Sequence, residues 1–209
     1  MTDPEDADVV VRHRADGATE LRVDGVFVMD DVQTSSEELL ADHVLAAGAR
    51  DVLVGGLGLG FTAAALLRGS VRSVLVAELH PEVVEAVAAG AGAGPLADSR
   101  LRLQVADVRE VVRQHPARAL DAIVLDVDNG PDFLVHPHNA DLYAETFLAA
   151  CARALRPGGV LAIWSMADSP ELRVRLSALG AVEALRVPVS LQGREEAYWV
   201  LTARLTPDR

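Results

Sequence analysis

The stretch that most constrains this chain is Asp51-Val-Leu-Val-Gly-Gly-Leu-Gly-Leu-Gly-Phe61. An apolar, β-branched run gives way to four glycines within six residues, Gly55, Gly56, Gly58 and Gly60. An Ala-rich segment with helical character, Thr62 to Leu67, follows at once. Strand, glycine loop, helix is the layout of a nucleotide-type cofactor site at the carboxyl edge of a parallel sheet. Glycine fits there because the turn is tight and a ligand must touch bare backbone. The helix start then offers unpaired N–H groups to ligand oxygens.

The rest of the chain supplies the sheet. Val9–Arg12 and Glu20–Val28 read as an N-terminal β-hairpin around Asp16-Gly17, and Ser35 to Ala47 as a helix closed by Gly48. From there strands and helices alternate. Strands are expected at 51–54, 73–77, 101–105, 119–125 and 160–164, with helices at 61–67, 81–89, 108–114, 140–155 and 171–179. The last two strands, 182–187 and 197–205, have no helix between them and must pair antiparallel. The expectation is an α/β fold: a Rossmann-like, seven-stranded, mostly parallel sheet ending in an antiparallel hairpin. The expected division is a disordered tail over 1–8, a β-hairpin and helix over 9–47, and the cofactor-binding domain over 48–209.

Composition narrows the class. Half of the 209 residues are apolar, enough for a core without staples. The lone cysteine, Cys151, excludes an internal disulfide, fits a reducing compartment and reads as a buried hydrophobe. The acidic N-terminus lacks the pattern of a signal peptide, and no run is long and apolar enough to cross a bilayer, so a cytoplasmic protein is expected. The net charge of −12 argues against nucleic acid and against nothing cationic. Solubility alone accounts for it equally well.

Four strand ends carry candidate ligand groups. The first is the glycine loop. The second is Glu78, placed to accept both hydroxyls of a ribose. The third is Asp107, placed for the edge of an adenine, and the fourth is Asp126. Glu78 and Asp107 each have a plainer reading as helix caps. Asp126-Val-Asp-Asn-Gly-Pro131 sets Asp126, Asp128 and Asn129 on one loop, where a carboxylate can hold an ammonium and accept its proton. An Asx turn is the plainer reading. His136 and His138 lack a third ligand for a metal. They fit a lid over the substrate better, with Tyr143 beyond it facing the site. Trp164, Met166, Trp199 and the segment 186–194 either shape an acceptor pocket or pack the core.

These residues resemble the spermidine synthase family, within the class I S-adenosylmethionine-dependent methyltransferase superfamily, from about Leu21 to Leu205. Val23-Asp-Gly-Val26 is similar to the family's strand-turn, Gly55-Gly-Leu-Gly-Leu-Gly60 to its cofactor loop, Ala77-Glu-Leu79 to its ribose acid, Ala106-Asp107 to its adenine-side Asp, and Leu125-Asp126 to the start of its catalytic loop. The resemblance implies a cofactor site formed by Gly55, Gly56, Gly58, Gly60, Glu78, Asp107 and Asp126. It implies catalysis by Asp126, Asp128 and Tyr143, and substrate contacts from Glu37, Asn129, His136 and His138. There are departures. Gly58 stands where the family's aminopropyltransferases carry an Asp that holds the aminopropyl ammonium, and Ser36-Glu37 stands where a Tyr-His pair lines the amine pocket. The expectation is therefore S-adenosylmethionine-dependent methyl transfer to a nitrogen or oxygen of a small molecule or peptide, an amine included. The alternatives are aminopropyl transfer from decarboxylated S-adenosylmethionine, an NAD-dependent oxidoreductase and a catalytically silent binding fold. Gly58-Leu-Gly-Phe-Thr-Ala63, with Glu78 beyond it, is what supports NAD. A homodimer through the N-terminal hairpin or a sheet edge is the expected assembly.

Overall fold

The computed structural model describes residues 8–94, 96–127, 129–134, 137–191 and 194–207. The N-terminal part is a three-stranded antiparallel sheet of β1 (Val9–His13), β2 (Thr19–Val23) and β3 (Val26–Asp30), not a single hairpin. The expected run 20–28 breaks at Asp24-Gly25, where both residues take positive φ and reverse the chain. Helix α1 (Ser35–Ala46) follows and buries Leu40, Ala41 and Val44 against the main sheet's helix layer.

The main sheet contains β4 (Asp51–Gly55), β5 (Ser73–Glu78), β6 (Leu101–Val105), β7 (Leu120–Leu125), β8 (Leu155–Ser165), β9 (Gly180–Leu191) and β10 (Arg194–Leu205). Their order is β6-β5-β4-β7-β8-β10-β9. The first five run parallel, and β10 is antiparallel to both β8 and β9. The helices are α2 (Phe61–Arg68), α3 (Pro81–Ala88), α4 (Val108–Gln114), α5 (Glu145–Ala154) and α6 (Pro170–Ser177). Three of these helices start with a local signal: Pro81 and Pro170 sit in the first turns of α3 and α6, and Asp107 and Ser169 cap α4 and α6 by accepting a backbone N–H.

Two apolar layers cover the sheet. One gathers Leu40, Val44, Leu59, Leu66, Val74 and Val87 on the α1–α3 side. The other gathers Val112, Phe147, Leu148, Cys151 and Leu176 on the α4–α6 side. Cys151 is fully buried and its thiol is pushed up to about 12 by that burial, as an inert hydrophobe should be. No helix among the described residues is long and apolar enough to cross a membrane. The chain expected to be helical from 140 instead forms a 3-10 helix, Pro137–Tyr143, before α5 begins.

Candidate active site

The strand order reverses between β4 and β7, and ligands of open α/β sheets bind in the crevice outside such a point. The glycine loop leaves the end of β4, and Asp126 leaves the end of β7. The two are locked together. The Asp126 N–H donates to the Gly55 carbonyl at 2.9 Å, and a Cβ on Gly56 would lie 2.1 Å from the Asp126 carbonyl oxygen. Gly56 has φ +86 as well, so no other residue suits it on either count. The glycine at 56 is thus demanded by the neighbouring strand end and not by a ligand alone.

Glu78 closes β5 beside the loop. Its carboxylate accepts the Leu57 N–H at 2.8 Å through Oε2 and the His80 N–H at 2.9 Å through Oε1. It therefore fixes the glycine loop and the start of α3 together. Each carboxylate oxygen keeps further acceptor capacity. Asp107, past the end of β6, accepts the Arg109 N–H at 2.7 Å and also pairs with the Arg109 guanidinium. Burial pushes the Asp107 carboxyl up, and the Arg109 bonds outweigh it and hold it below its usual range. Arg109 reaches on to the His138 carbonyl at 3.1 Å, joining the strand end to the 3-10 helix.

Asp126 is different. Burial raises it to about 6, and the group pulling it back is the Thr62 hydroxyl, which donates to Oδ2 at 2.7 Å from the first turn of α2. Glu37, from α1, is 8% exposed and raised to about 7, first by burial and then by the charge of Asp126. The Ser36 hydroxyl donates to Glu37 Oε2 at 2.6 Å. No described ion pair relieves either acid. Asp30 at the end of β3 adds its charge to Glu37. Tyr198 of β10 feels burial first and then Glu37 and Asp30, which raise its phenol. Its ring leans on Trp164 of β8, centroids 4.9 Å apart. The Trp164 Nε1–H is buried with no acceptor among the described residues. Arg14 pairs with Asp30 at 2.8 Å, which leaves Glu37 and Asp126 as the acids without a described ion pair, a setting beside two aromatic rings that suits a cation.

The other expected site residues fall in several places. Tyr143 is 2% exposed and packs with Leu142, Phe147 and Leu148. It borders a cleft shared with Asp132, Ser169, Glu171 and Arg175, on the α6 side of the molecule. His138 is exposed in the 3-10 helix, and Asn129 accepts the Met166 N–H through its backbone oxygen at 2.9 Å. Asp128 and His136 lie outside the described residues. No metal-holding cluster occurs among the described residues. Trp199 packs into the α4–α6 layer, while Trp164 borders the acidic pocket. Sequence reasoning missed Thr62, Met29, Asp30 and Tyr198. Thr62 was legible in principle, as the polar residue in the first turn after the loop. The other three come from the N-terminal sheet and the terminal hairpin, whose docking no local pattern announces.

Comparison with known proteins agrees with this fold. A polyamine aminopropyltransferase of Mycobacterium tuberculosis is 33% identical over 171 residues, which is 78% of this chain and 31% of that protein. The chain thus spans about a third of the length of that relative. A spermidine synthase solved in complex with the transition-state analogue AdoDATO superposes with a TM-score of 0.79 at 20% identity, covering 97% of this chain and 71% of that one. The Burkholderia thailandensis 1,6-didemethyltoxoflavin-N1-methyltransferase, solved with S-adenosylhomocysteine, superposes at 0.59 with 23% identity over 83% of this chain and 80% of that one. No family model matches the chain. The fold is therefore that of the class I S-adenosylmethionine-dependent methyltransferases. Within that class it is the spermidine synthase-like form, and the proteins it resembles are transferases by name.

Proposed function

We propose that this protein transfers an alkyl group from an S-adenosyl sulfonium donor to an amine nitrogen of a small molecule. The observation that carries the reading is the pair of raised acids, buried Glu37 and half-buried Asp126, set beside the glycine loop at the strand-order switch with no ion pair to either among the described residues. The crevice suits such a donor. Gly55 and Gly56 keep the loop flush with its neighbours, since a Cβ on Gly55 would lie 2.7 Å from Val108 Cγ2. Glu78 has lone pairs left for ribose hydroxyls, and Asp107 borders the place of the base. The donor supplies an electrophilic carbon attached to a sulfonium.

The residues do the rest by position and charge. Glu37 and the Tyr198–Trp164 wall hold the incoming ammonium, while Asp30 is paired with Arg14 at 2.8 Å. Asp126 takes its proton, which frees the nitrogen lone pair. The C–N bond forms as the C–S bond breaks, and the sulfur keeps the electron pair. An acid raised to about 6 is a stronger base than an ordinary aspartate and still ionised at neutral pH.

The relatives' names favour aminopropyl as the group moved. Methyl transfer is the second reading, favoured by a loop that has no acid at position 58. One assay separates the readings. The protein is incubated with a diamine panel and either donor, and the nucleoside product is identified by mass. Methylthioadenosine marks aminopropyl transfer and S-adenosylhomocysteine marks methyl transfer. Neither product, with thermal stabilisation by NAD instead, would overturn the proposal. Cytoplasmic residence and a homodimer remain part of this reading. The dimer is checked by sedimentation.

A further inference from the structure

Met29 lies on β3 and its sulfur covers the glycine loop. The Leu59 N–H donates to that sulfur at 3.2 Å, and a Cβ on Gly58 would lie 2.6 Å from the same atom. In this rotamer Met29 and any side chain at 58 exclude each other. The loop from Gly55 to Gly60 carries no charged side chain. Leu59 directly precedes Gly60, the N-cap of α2, so its N–H sits at the positive end of that helix. A thioether is a weak, neutral acceptor. What the loop presents beside position 58 is therefore an N–H held by a poor partner, with no acid. That surface suits a carboxylate and offers an ammonium nothing.

We infer that Met29 selects the sulfonium donor by its tail, keeping position 58 bare and yielding the Leu59 N–H to a tail that bears a carboxylate. The inference rests on the S-adenosyl donor reading above. Within it the inference sides with the second reading, methyl transfer, because S-adenosylmethionine is favoured over its decarboxylated form. A carboxylate displaces the sulfur because a charge-assisted hydrogen bond is roughly twice as strong as a neutral one.

Calorimetric titration with three ligands tests it: S-adenosylmethionine, decarboxylated S-adenosylmethionine and methylthioadenosine, which lacks the tail. The native protein is expected to bind the carboxylate-bearing donor about tenfold more tightly than the decarboxylated one. Met29→Ala/Gly58→Asp is expected to invert that order, because the removed side chain makes room for an acid and aspartate tolerates the positive φ of 52° at position 58. Met29→Leu/Gly58→Asp keeps the bulk over position 58 and is expected not to invert it. Methylthioadenosine affinity should stay within about twofold throughout, since the tail is where the variants act. Melting curves check that each variant folds, and Met29→Leu alone, which keeps the packing and removes the acceptor, is expected to retain the native order of donors. Equal affinity of the native protein for both donors overturns the inference while leaving the donor reading intact. So does an inverted order in the Leu variants. Binding of none of the three ligands overturns the donor reading and the inference together.

Discussion

The two ends of the parallel sheet carry the same residue types, and two acids at the carboxyl end are treated oppositely to those at the amino end. At the amino ends, Asp51 accepts from Arg72 and from Ser73 at 2.9 Å, and Asp121 accepts the Arg50 and Asp51 N–H groups, both at 2.9 Å. Arg156 bridges them, 2.6 Å from Asp121 and 3.2 Å from Asp51. Burial pushes both acids up, and these partners overrule it and hold both below the usual range. At the carboxyl ends Asp107 is paired in the same way, but half-buried Asp126 and, beside it, Glu37 of α1 have hydroxyls for partners and are held above it. Paired acids tie strands together. Unpaired buried acids cost stability and persist where something outside the chain completes them.

Removing one acid from each end gives the largest effects. Asp126→Asn keeps the shape and the Thr62 contact but cannot accept a proton. Turnover is expected to fall about 10²- to 10⁴-fold while methylthioadenosine affinity holds. Turnover near that of the native protein would remove Asp126 from the chemistry. Asp121→Ala is expected to do the reverse. It strands the Arg50 and Asp51 N–H groups and leaves Arg156 short of a partner, at a cost of about 2–3 kcal/mol. A denaturant melt reads that loss, and ligand affinity should not change. A binding defect without a stability loss would mean that the two ends are not distinct.

The ends also differ in how stability follows pH. Asp51 and Asp121 have folded values below their unfolded ones. Their contribution is present above about pH 4 and lost as pH falls through the folded values. Asp126 and Glu37 have folded values above their unfolded ones, so between about pH 4 and about 7 the folded state binds more protons. Stability from this pair is greatest at the acid side of that window and declines as pH rises through it. Asp126→Asn should therefore flatten the decline and stabilise the protein at pH 8 by on the order of 1–2 kcal/mol. Thermal melts at pH 5, 6, 7 and 8 test the sign. A variant less stable than the native protein at pH 8 would mean that the buried carboxylate is not a cost.

Much of the fold and part of the site were legible in the sequence, and the reasons show in particular residues. Glycine spacing, β-branched runs and the missing last helix fixed the sheet, because each is a local pattern with one structural reading. Glu78 and Asp126 were legible because a strand end followed by an acid places the acid at the sheet edge. Asp107 fulfils the cap reading, and its adenine reading waits on a ligand. Thr62, Met29 and Tyr198 escaped because their meaning lies across the chain. Thr62 meets Asp126, Met29 meets Gly58 and Leu59, and Tyr198 meets Glu37. The helix expected from 140 was shortened by a 3-10 turn, a boundary that apolar periodicity does not mark.

The smallest expected effect probes the one bond that moderates Asp126. Thr62 is 3% exposed and its hydroxyl donates 2.7 Å to Oδ2, stabilising the charged carboxylate in a site where burial opposes it. Thr62→Val keeps the shape and removes the donor, at a cost of about 1 kcal/mol to the ionised form. Converted at about 1.4 kcal/mol per unit, the acidic limb of kcat/KM should move up by roughly half to one unit. That limb belongs to the Glu37–Asp126 pair as a whole, so the shift is read from the pair's lower apparent value. Thr62→Ser restores the hydroxyl and should restore the native profile. An identical shift in both variants would trace the effect to packing. No shift in Thr62→Val would detach the acidic limb from Asp126, and the amine's proton would then need another acceptor in the pocket.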